Sequence, residues 1–142
     1  MTYNFAICDD EIPQQDSLKR MVLEWAGARR FTARIACFPS AEAFLFHYEE
    51  DKSFDILLLD IEMAGINGVQ LASAVRKDNK EVQIVFVTGY MDYIADGYDV
   101  EALHYLLKPV TEGTLYAVLD RAAIPLPRGM YNAINRAMIE KL

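Results

Sequence analysis

Short apolar runs alternate with amphipathic stretches along most of the chain, and this alternation restricts the fold more than any other feature. The apolar runs typical of strands are residues 3–8, 31–38, 54–59, 82–87 and 104–107. Residues with helical spacing follow them at 12–28, from Pro39 and Ser40 onward, at 65–77, at 91–101 and from Thr111 onward. Strands that alternate with helices predict a parallel sheet covered by helices on both faces, that is, an α/β fold.

Length and charge exclude several classes of protein. The 142 residues fit one ordinary domain, and the formal net charge of −7 argues against direct nucleic-acid binding. No apolar run is long enough to cross a membrane, and the first residues do not resemble a secretory signal. Cys8 and Cys37 lie in apolar runs and are expected to be buried, reduced thiols. We therefore expect a cytoplasmic protein with no membrane partner.

Polar residues stand at the ends of four predicted strands. Asp9 and Asp10 follow the first strand, Asp60 follows the third, Thr88 the fourth and Lys108 the fifth. Each of these alone is more often a helix cap, a turn or a structural residue. Because the carboxyl ends of parallel strands meet at one edge of a sheet, the residues are expected to converge there.

The chemistry of such a cluster points to phosphoryl transfer. Carboxylates held close together repel one another, and a hard divalent cation with oxygen ligands, such as Mg²⁺, removes that repulsion. One aspartate can then attack a phosphorus atom, while Lys108 and Thr88 neutralise and bind the phosphoryl oxygens. The pattern therefore predicts a site that forms an aspartyl phosphate.

Four segments of the chain resemble one known family. The motifs ICDDE, ILLLDIEMAGINGVQLA, FVTGY and ALHYLLKPV are similar to those of bacterial response-regulator receiver domains, and the resemblance covers residues 3–122. The segment TGYMDYIADGYDVEALHYLLKPV looks most like the subgroup that precedes LytTR-type DNA-binding domains. The resemblance implies a flavodoxin-like (βα)5 fold, with a doubly wound parallel sheet in the strand order 2-1-3-4-5.

The resemblance also implies a metal site and a reaction. Asp10 would bind Mg²⁺ (or Mn²⁺) directly, Asp9 would act through water, and the backbone carbonyl of Glu62 would complete the site. Asp60 would be both a metal ligand and the phospho-acceptor. The phosphoryl donor in this family is a phosphohistidine on a sensor histidine kinase. Ala64 departs from the proline that the family often has there, which removes no ligand.

Further residues acquire roles by the same resemblance. Thr88 would hydrogen-bond to the phosphoryl group, Lys108 would pair with it, and Tyr105 corresponds to the switch aromatic. The peptide bond between Lys108 and Pro109 is similar to one that is cis in the family. Glu62 and Tyr90 occupy positions where the family varies, and we expect them to tune the lifetime of the phosphoryl group.

The expected output is a signal rather than a turnover reaction. We expect a receiver domain at residues 1–123, followed at 124–142 by a proline- and glycine-rich linker and a short amphipathic helix. The predicted output surface is the 91–122 face, which could also form a homodimer. DNA would be bound only through an effector domain that is not in this chain, and the protein would control transcription through it. Beyond self-phosphorylation from small donors and auto-dephosphorylation, no enzymatic activity is expected.

The sequence leaves two other functional interpretations open. A stand-alone or pseudo-receiver module would serve as a protein-interaction domain without being phosphorylated, but such modules usually lose an acidic residue or the lysine. A Mg²⁺-dependent phosphatase with an aspartate nucleophile would need a second aspartate where Glu62 stands, and it would carry its nucleophile on the first strand. Turnover of a generic phosphate ester distinguishes the phosphatase from a receiver.

Overall fold

The structure is a computed structural model that describes residues 1–89 and 100–123. The helix predicted at 91–101 falls almost wholly outside these residues, as do Tyr90 and the predicted linker and tail at 124–142. The described elements are, in chain order, β1 (Thr2–Cys8), α1 (Ile12–Arg29), β2 (Thr32–Phe38), α2 (Ala41–Tyr48), β3 (Ile56–Asp60), α3 (Gly68–Arg76), β4 (Gln83–Thr88), β5 (His104–Leu107) and α4 (Glu112–Ala123).

The strands form one five-stranded sheet in the order β2-β1-β3-β4-β5, and every neighbouring pair is parallel. The predicted fold class and strand order are therefore confirmed. The register places Cys8 beside Leu59 and Asp60 beside Val87. The ends of β1, β3 and β4 thus lie level with one another at the same edge of the sheet.

The strands bury alternate residues in two separate cores, one on each face of the sheet. Phe5 and Leu58 belong to the core that also contains buried residues of α1 and α4. Ala6 and Leu59 belong to the other core, with buried residues of α2 and α3. This double burial explains why the central strands read as continuous apolar runs.

Side-chain caps define where two helices begin. The Oγ of Ser40 accepts a hydrogen bond from the N–H of Ala43 at 3.0 Å and so caps α2. Asn67 and Gln70 form a reciprocal capping box at the start of α3. The loop before it contains Gly65 with φ +77°, a left-handed conformation that glycine adopts easily.

Several element bounds differ by one to three residues from the predicted ones, and β3 is the one that bears on the site. The strand predicted at 54–59 is observed at Ile56–Asp60, so Asp60 lies within the strand rather than after it. Phe54 instead joins one of the two cores from the preceding loop. Across the described ranges, no helix combines the length and the apolar character that a membrane crossing requires.

Candidate functional site

Three carboxylates meet at the edge of the sheet where β1 and β3 end. Asp9, Asp10 and Asp60 each offer one oxygen, and these oxygens all lie within 4.8 Å of one another. Asp9 is 1% exposed and Asp60 is 4% exposed, whereas Asp10 faces solvent. The three carboxylates therefore converge, as the positions of the strand ends predicted, and two of them are buried while one is open to water.

Lys108 links the two buried carboxylates. Its Nζ lies 3.2 Å from Oδ2 of Asp9 and 3.3 Å from Oδ2 of Asp60. The backbone N–H of Lys108 donates to the carbonyl of Thr88 at 2.9 Å, which ties the residue to the end of β4. The bond between Lys108 and Pro109 is cis, as the resemblance predicted. An ammonium group is thus held between carboxylates that come from two neighbouring strands.

The electrostatics of the cluster favour the binding of a further cation. Burial and then the charge of Asp9 raise the pKa of Asp60 from 3.8 to about 6, although Lys108 opposes this rise. Burial alone would lower the pKa of Lys108, but the charges of Asp60 and Asp9 outweigh it and the pKa is raised. One ammonium group therefore does not fully compensate the carboxylates that surround it.

The donor set fits Mg²⁺. Carboxylate oxygens are the ligands that this ion prefers, and an exposed carboxylate beside two buried ones leaves room for the waters it retains. Oδ1 of Asp9 accepts the N–H of Glu11 at 2.9 Å, and Oδ1 of Asp60 accepts the N–H of Glu62 at 3.3 Å. The second oxygen of each of these two side chains is the one that contacts Lys108. Each buried carboxylate is thus held in a fixed orientation.

Of the other predicted site residues, Thr88 lies in β4, Tyr105 in β5, and Glu62 just after β3. Thr88 is fully buried at the end of β4, the strand next to β3. Tyr105 is half-buried on β5, and its ring stacks on that of Phe86 with centroids 5.4 Å apart. The side chain of Glu62 is exposed just after Asp60. Tyr90 lies outside the described residues.

Sequence reasoning did not find two buried polar residues, Gln15 at this edge of the sheet and Arg76 at the opposite edge. Gln15 is 8% exposed and donates hydrogen bonds to backbone carbonyls at the ends of β1 and β2. Arg76 is 6% exposed, and its Nε donates to the carbonyl of Val100 at 2.6 Å. Gln15 precedes Leu18 by three residues and so extends the apolar face of α1, a position where a polar residue signals a buried hydrogen bond.

Comparison with known proteins identifies the family. Residues 5–120 match the response regulator receiver domain. The chain is 32% identical over 90 residues to the sensory transduction protein LytT of Bacillus subtilis, which covers 63% of this chain and 34% of that protein. It is 30% identical over 122 residues to the positive alginate biosynthesis regulatory protein of Pseudomonas aeruginosa, which covers 86% of this chain and 48% of that protein.

The chain thus spans from about a third to about half of the length of these relatives. A LytT protein of Oceanobacillus iheyensis is also similar, with 33% identity over 87 residues, 58% of this chain and 35% of the relative. The presence of LytT proteins among the relatives agrees with the predicted subgroup.

Solved structures show the same fold. The response regulatory domain of mrkE from Klebsiella pneumoniae superposes with a TM-score of 0.77 at 24% identity, over 85% of this chain and 95% of that one. The response regulator TrrA of Thermotoga maritima, solved in complex with Mg²⁺-BeF, gives 0.73 at 24% identity, over 84% and 98%. With the family match over most of its length, the chain belongs to the response regulator receiver domain family.

Proposed function

We propose that this chain is a phosphorylation-dependent switch of a two-component system, in which Asp60 accepts a phosphoryl group from a sensor histidine kinase. The observation that carries the proposal is the position of Lys108, whose Nζ lies 3.2 Å from Asp9 and 3.3 Å from Asp60. A lysine between two buried carboxylates supplies positive charge where the oxygens of an incoming phosphoryl group would lie.

The reaction needs few protein groups. A carboxylate oxygen of Asp60 attacks the phosphorus atom, and the bond from phosphorus to the donor nitrogen breaks, with its electron pair leaving on the imidazole of the donor. Lys108 then pairs with the transferred group. Asp9, Asp10, Asp60 and the carbonyl of Glu62 would hold Mg²⁺, which when bound neutralises charge on the phosphoryl oxygens.

We further propose that Thr88 and Tyr105 pass the change to the 91–122 face. The hydroxyl of Thr88 would bind the phosphoryl group, and Tyr105 would turn in response. The positions of the two residues support this relay. Thr88 ends β4, and Tyr105, on the neighbouring strand β5, stacks on Phe86 of β4. A phosphorylated sample that remains monomeric in light scattering at high concentration would argue against dimerisation through this face.

The lifetime of the phosphoryl group is a separate part of the proposal. Glu62 is exposed directly after the acceptor strand, where its side chain can influence the approach of water. We propose that Glu62 and Tyr90 set the rate of dephosphorylation. Equal dephosphorylation rates in wild type, Glu62→Asn and Tyr90→Ala would contradict this role.

For the output, we propose control of transcription through an effector domain outside this sequence, in the cytoplasm. Residues 1–123 would be the receiver domain, and 124–142 would lead toward the effector. The proposal is supported by a relative named transcriptional regulatory protein NatR of Bacillus subtilis, 36% identical over 67 residues, which covers 47% of this chain and 29% of that protein. The chain itself would perform only self-phosphorylation and auto-dephosphorylation.

The first test is the intact mass of the protein after incubation with acetyl phosphate and Mg²⁺. We expect wild type to gain one phosphoryl group, Asp60→Asn to gain none, and a sample with excess chelator to gain none. Asp55→Asn changes an exposed aspartate that lies just before the same strand and is the matched control, which should react like wild type.

Other outcomes of these tests would favour a different function. A wild type that binds Mg²⁺ but remains unmodified by acetyl phosphate and by histidine kinases would favour the pseudo-receiver. Multiple turnover of a generic phosphate ester would favour the phosphatase.

A further inference from the structure

Gln15 lies in the first turn of α1, close to the acidic cluster. Its side chain is 8% exposed, and its Nε2 donates to the backbone carbonyl of Asp9 at 2.6 Å. The same nitrogen lies 3.4 Å from the carbonyl of Phe38, the last residue of β2. The backbone N–H of Gln15 donates to the carbonyl of Glu11 at 3.1 Å. Both the side chain and the main chain of Gln15 are therefore fixed.

The carbonyl that Gln15 holds belongs to the peptide bond that joins Asp9 to Asp10. Because a peptide unit is planar, holding its oxygen fixes the rotation of the whole unit. That rotation determines the directions in which the side chains of Asp9 and Asp10 leave the chain. A single hydrogen bond from Gln15 therefore acts on two of the three carboxylates in the cluster.

The main chain of Asp9 is held at both of its polar groups. Its N–H donates to the carbonyl of Phe38 at 3.1 Å, and its own carbonyl accepts from Gln15. Nε2 of Gln15 thus bridges the last carbonyl of β2 and the first carbonyl after β1. Carboxylates that repel one another would rotate apart if this backbone were free, and the bridge from Gln15 opposes that rotation.

The type of side chain also matters. An amide donates hydrogen bonds without carrying a charge, so it can orient the peptide without repelling a cation. An ionised glutamate could not donate, and a lysine would place a positive charge below the cluster.

We propose that Gln15 is a positioning residue for the metal site and that it sets the affinity of the acidic cluster for Mg²⁺. The inference rests on the proposed function, since it presumes that the cluster binds this ion. Residues that orient metal ligands typically change metal affinity by about 10- to 100-fold when they are replaced. The side chain of Gln15 bonds to the backbone carbonyls of Asp9 and Phe38, and neither is a ligand in the proposed metal site, so its effect would be indirect.

The test is a calorimetric Mg²⁺ titration of wild type, Gln15→Met and Gln14→Met. Methionine has nearly the same length as glutamine and no hydrogen-bond donor. Gln14 is the half-buried neighbour of Gln15, and its side chain is not part of the hydrogen bonds to the carbonyls of Asp9 and Phe38. We expect the Kd for Mg²⁺ to rise about 10-fold or more in Gln15→Met and to stay within about twofold of wild type in Gln14→Met. Thermal unfolding in the presence of chelator verifies that each variant is folded at the temperature of the titration.

A second measurement uses only the wild-type protein and decides the question if Gln15→Met does not fold. The side-chain amide resonances of Gln15 should shift during an Mg²⁺ titration followed by NMR, with the same apparent Kd as calorimetry gives. Those of Gln83, at the start of β4 and the opposite edge of the sheet, should not shift.

The outcomes separate this inference from the proposed function. If wild type does not bind Mg²⁺, the proposed metal site fails and the role of Gln15 fails with it. If wild type binds Mg²⁺ and a folded Gln15→Met binds it equally well, only the role of Gln15 is overturned. Gln15 resonances that stay unchanged while Mg²⁺ binds would likewise overturn this role alone.

Discussion

Gly68, the first residue of α3, lies directly against the backbone of Asp60. A Cβ atom at Gly68 would overlap the carbonyl oxygen of Asp60 and lie 2.9 Å from its carbonyl carbon. The N–H of Gly68 donates to the carbonyl of Ile61 at 2.9 Å. The start of α3 and the end of β3 are therefore packed with no space for a side chain between them.

Replacing Gly68 with alanine should destabilise the protein, because the added methyl group forces α3 and β3 apart. We expect a loss of about 1–3 kcal/mol in the free energy of unfolding, measured by urea denaturation. Gly113 is the control, since a Cβ there meets nothing within 4 Å. As a helical glycine in α4, Gly113→Ala should instead stabilise the protein by about 0.5–1 kcal/mol. Equal stability of Gly68→Ala and wild type would show that α3 can shift without cost.

Replacing Lys108 with methionine should destabilise the metal-free protein. Asp9 and Asp60 would lose the ammonium group between them, and breaking a buried charge pair costs about 3–5 kcal/mol, less where solvent reaches it. Lys108 is 21% exposed, so we expect a loss of about 2–3 kcal/mol in chelator. Added Mg²⁺ should restore part of that loss, because a cation again faces the carboxylates.

Lys77→Met is the control for Lys108→Met, since Lys77 is exposed at the end of α3. It should change the unfolding free energy by less than about 0.5 kcal/mol, with or without Mg²⁺. A Lys108→Met protein as stable as wild type in chelator would mean that the two carboxylates are not both ionised in the metal-free state.

The stability of the metal-free protein should depend on pH through Asp60. The pKa of Asp60 rises from 3.8 to about 6 on folding, so the folded state keeps a proton that the unfolded state loses between these values. Stability should therefore fall as pH rises from about 4 to about 6, and the cost should be fully present above that range. The shift corresponds to an upper limit of about 3 kcal/mol.

Asp60→Asn removes this cost, so it should be more stable than wild type at pH 7.5 in chelator, by about 1–3 kcal/mol. The difference should shrink toward pH 4, where Asp60 is protonated in the folded protein. Asp16→Asn, at an exposed position on α1, controls for the loss of one charge. A difference between Asp60→Asn and wild type that does not vary over this pH range would contradict the raised pKa.

Arg76 should stabilise the segment that leads into β5. Its Nε donates to the carbonyl of Val100 at 2.6 Å, and its guanidinium also donates to the carbonyl of Glu101 at 3.3 Å. Glu101 has φ 52°, a left-handed conformation that is uncommon outside glycine and is held in place here. Arg76→Leu leaves those carbonyls without this donor, which should cost about 2–4 kcal/mol.

Hydrogen exchange distinguishes a local role of Arg76 from a general loss of stability. In Arg76→Leu, the exchange of the amides of residues 100–107 should increase more than the exchange of amides elsewhere in the sheet. Arg34→Leu, at an exposed position on β2, is the control and should leave the exchange of this segment unchanged. Uniform acceleration across the whole sheet would show that Arg76 acts only through global stability.

The convergence of Asp9, Asp60 and Lys108 could be predicted because it follows from topology alone. In a parallel sheet the strand ends share one edge, so polar residues at those ends meet whatever the side-chain details are. The apolar run predicts that β3 ends at residue 59, one residue too early, because a strand in a parallel sheet can continue through a carboxylate, and Asp60 pairs with Val87 inside the sheet.

The roles of Gln15 and Arg76 could not be predicted in the same way. Each donates to backbone carbonyls that are distant in sequence, and sequence patterns do not say which carbonyls remain available. The polar residue on the apolar face of α1 was a usable signal for Gln15, since such residues are buried only when they are hydrogen-bonded. The helix predicted at 91–101 stays a prediction, because it lies almost wholly outside the described residues.

Asp60 ends β3, the middle one of five strands. A middle strand is hydrogen-bonded on both sides, so the strand itself can move little when charge is added at its end. β5 has only four residues and, among the described strands, pairs with β4 alone. The sheet is therefore stiffer at Asp60 and more compliant at its rim. In the proposed switch, a partner bound at the β5 rim would respond to charge added at the centre of the sheet without contacting Asp60.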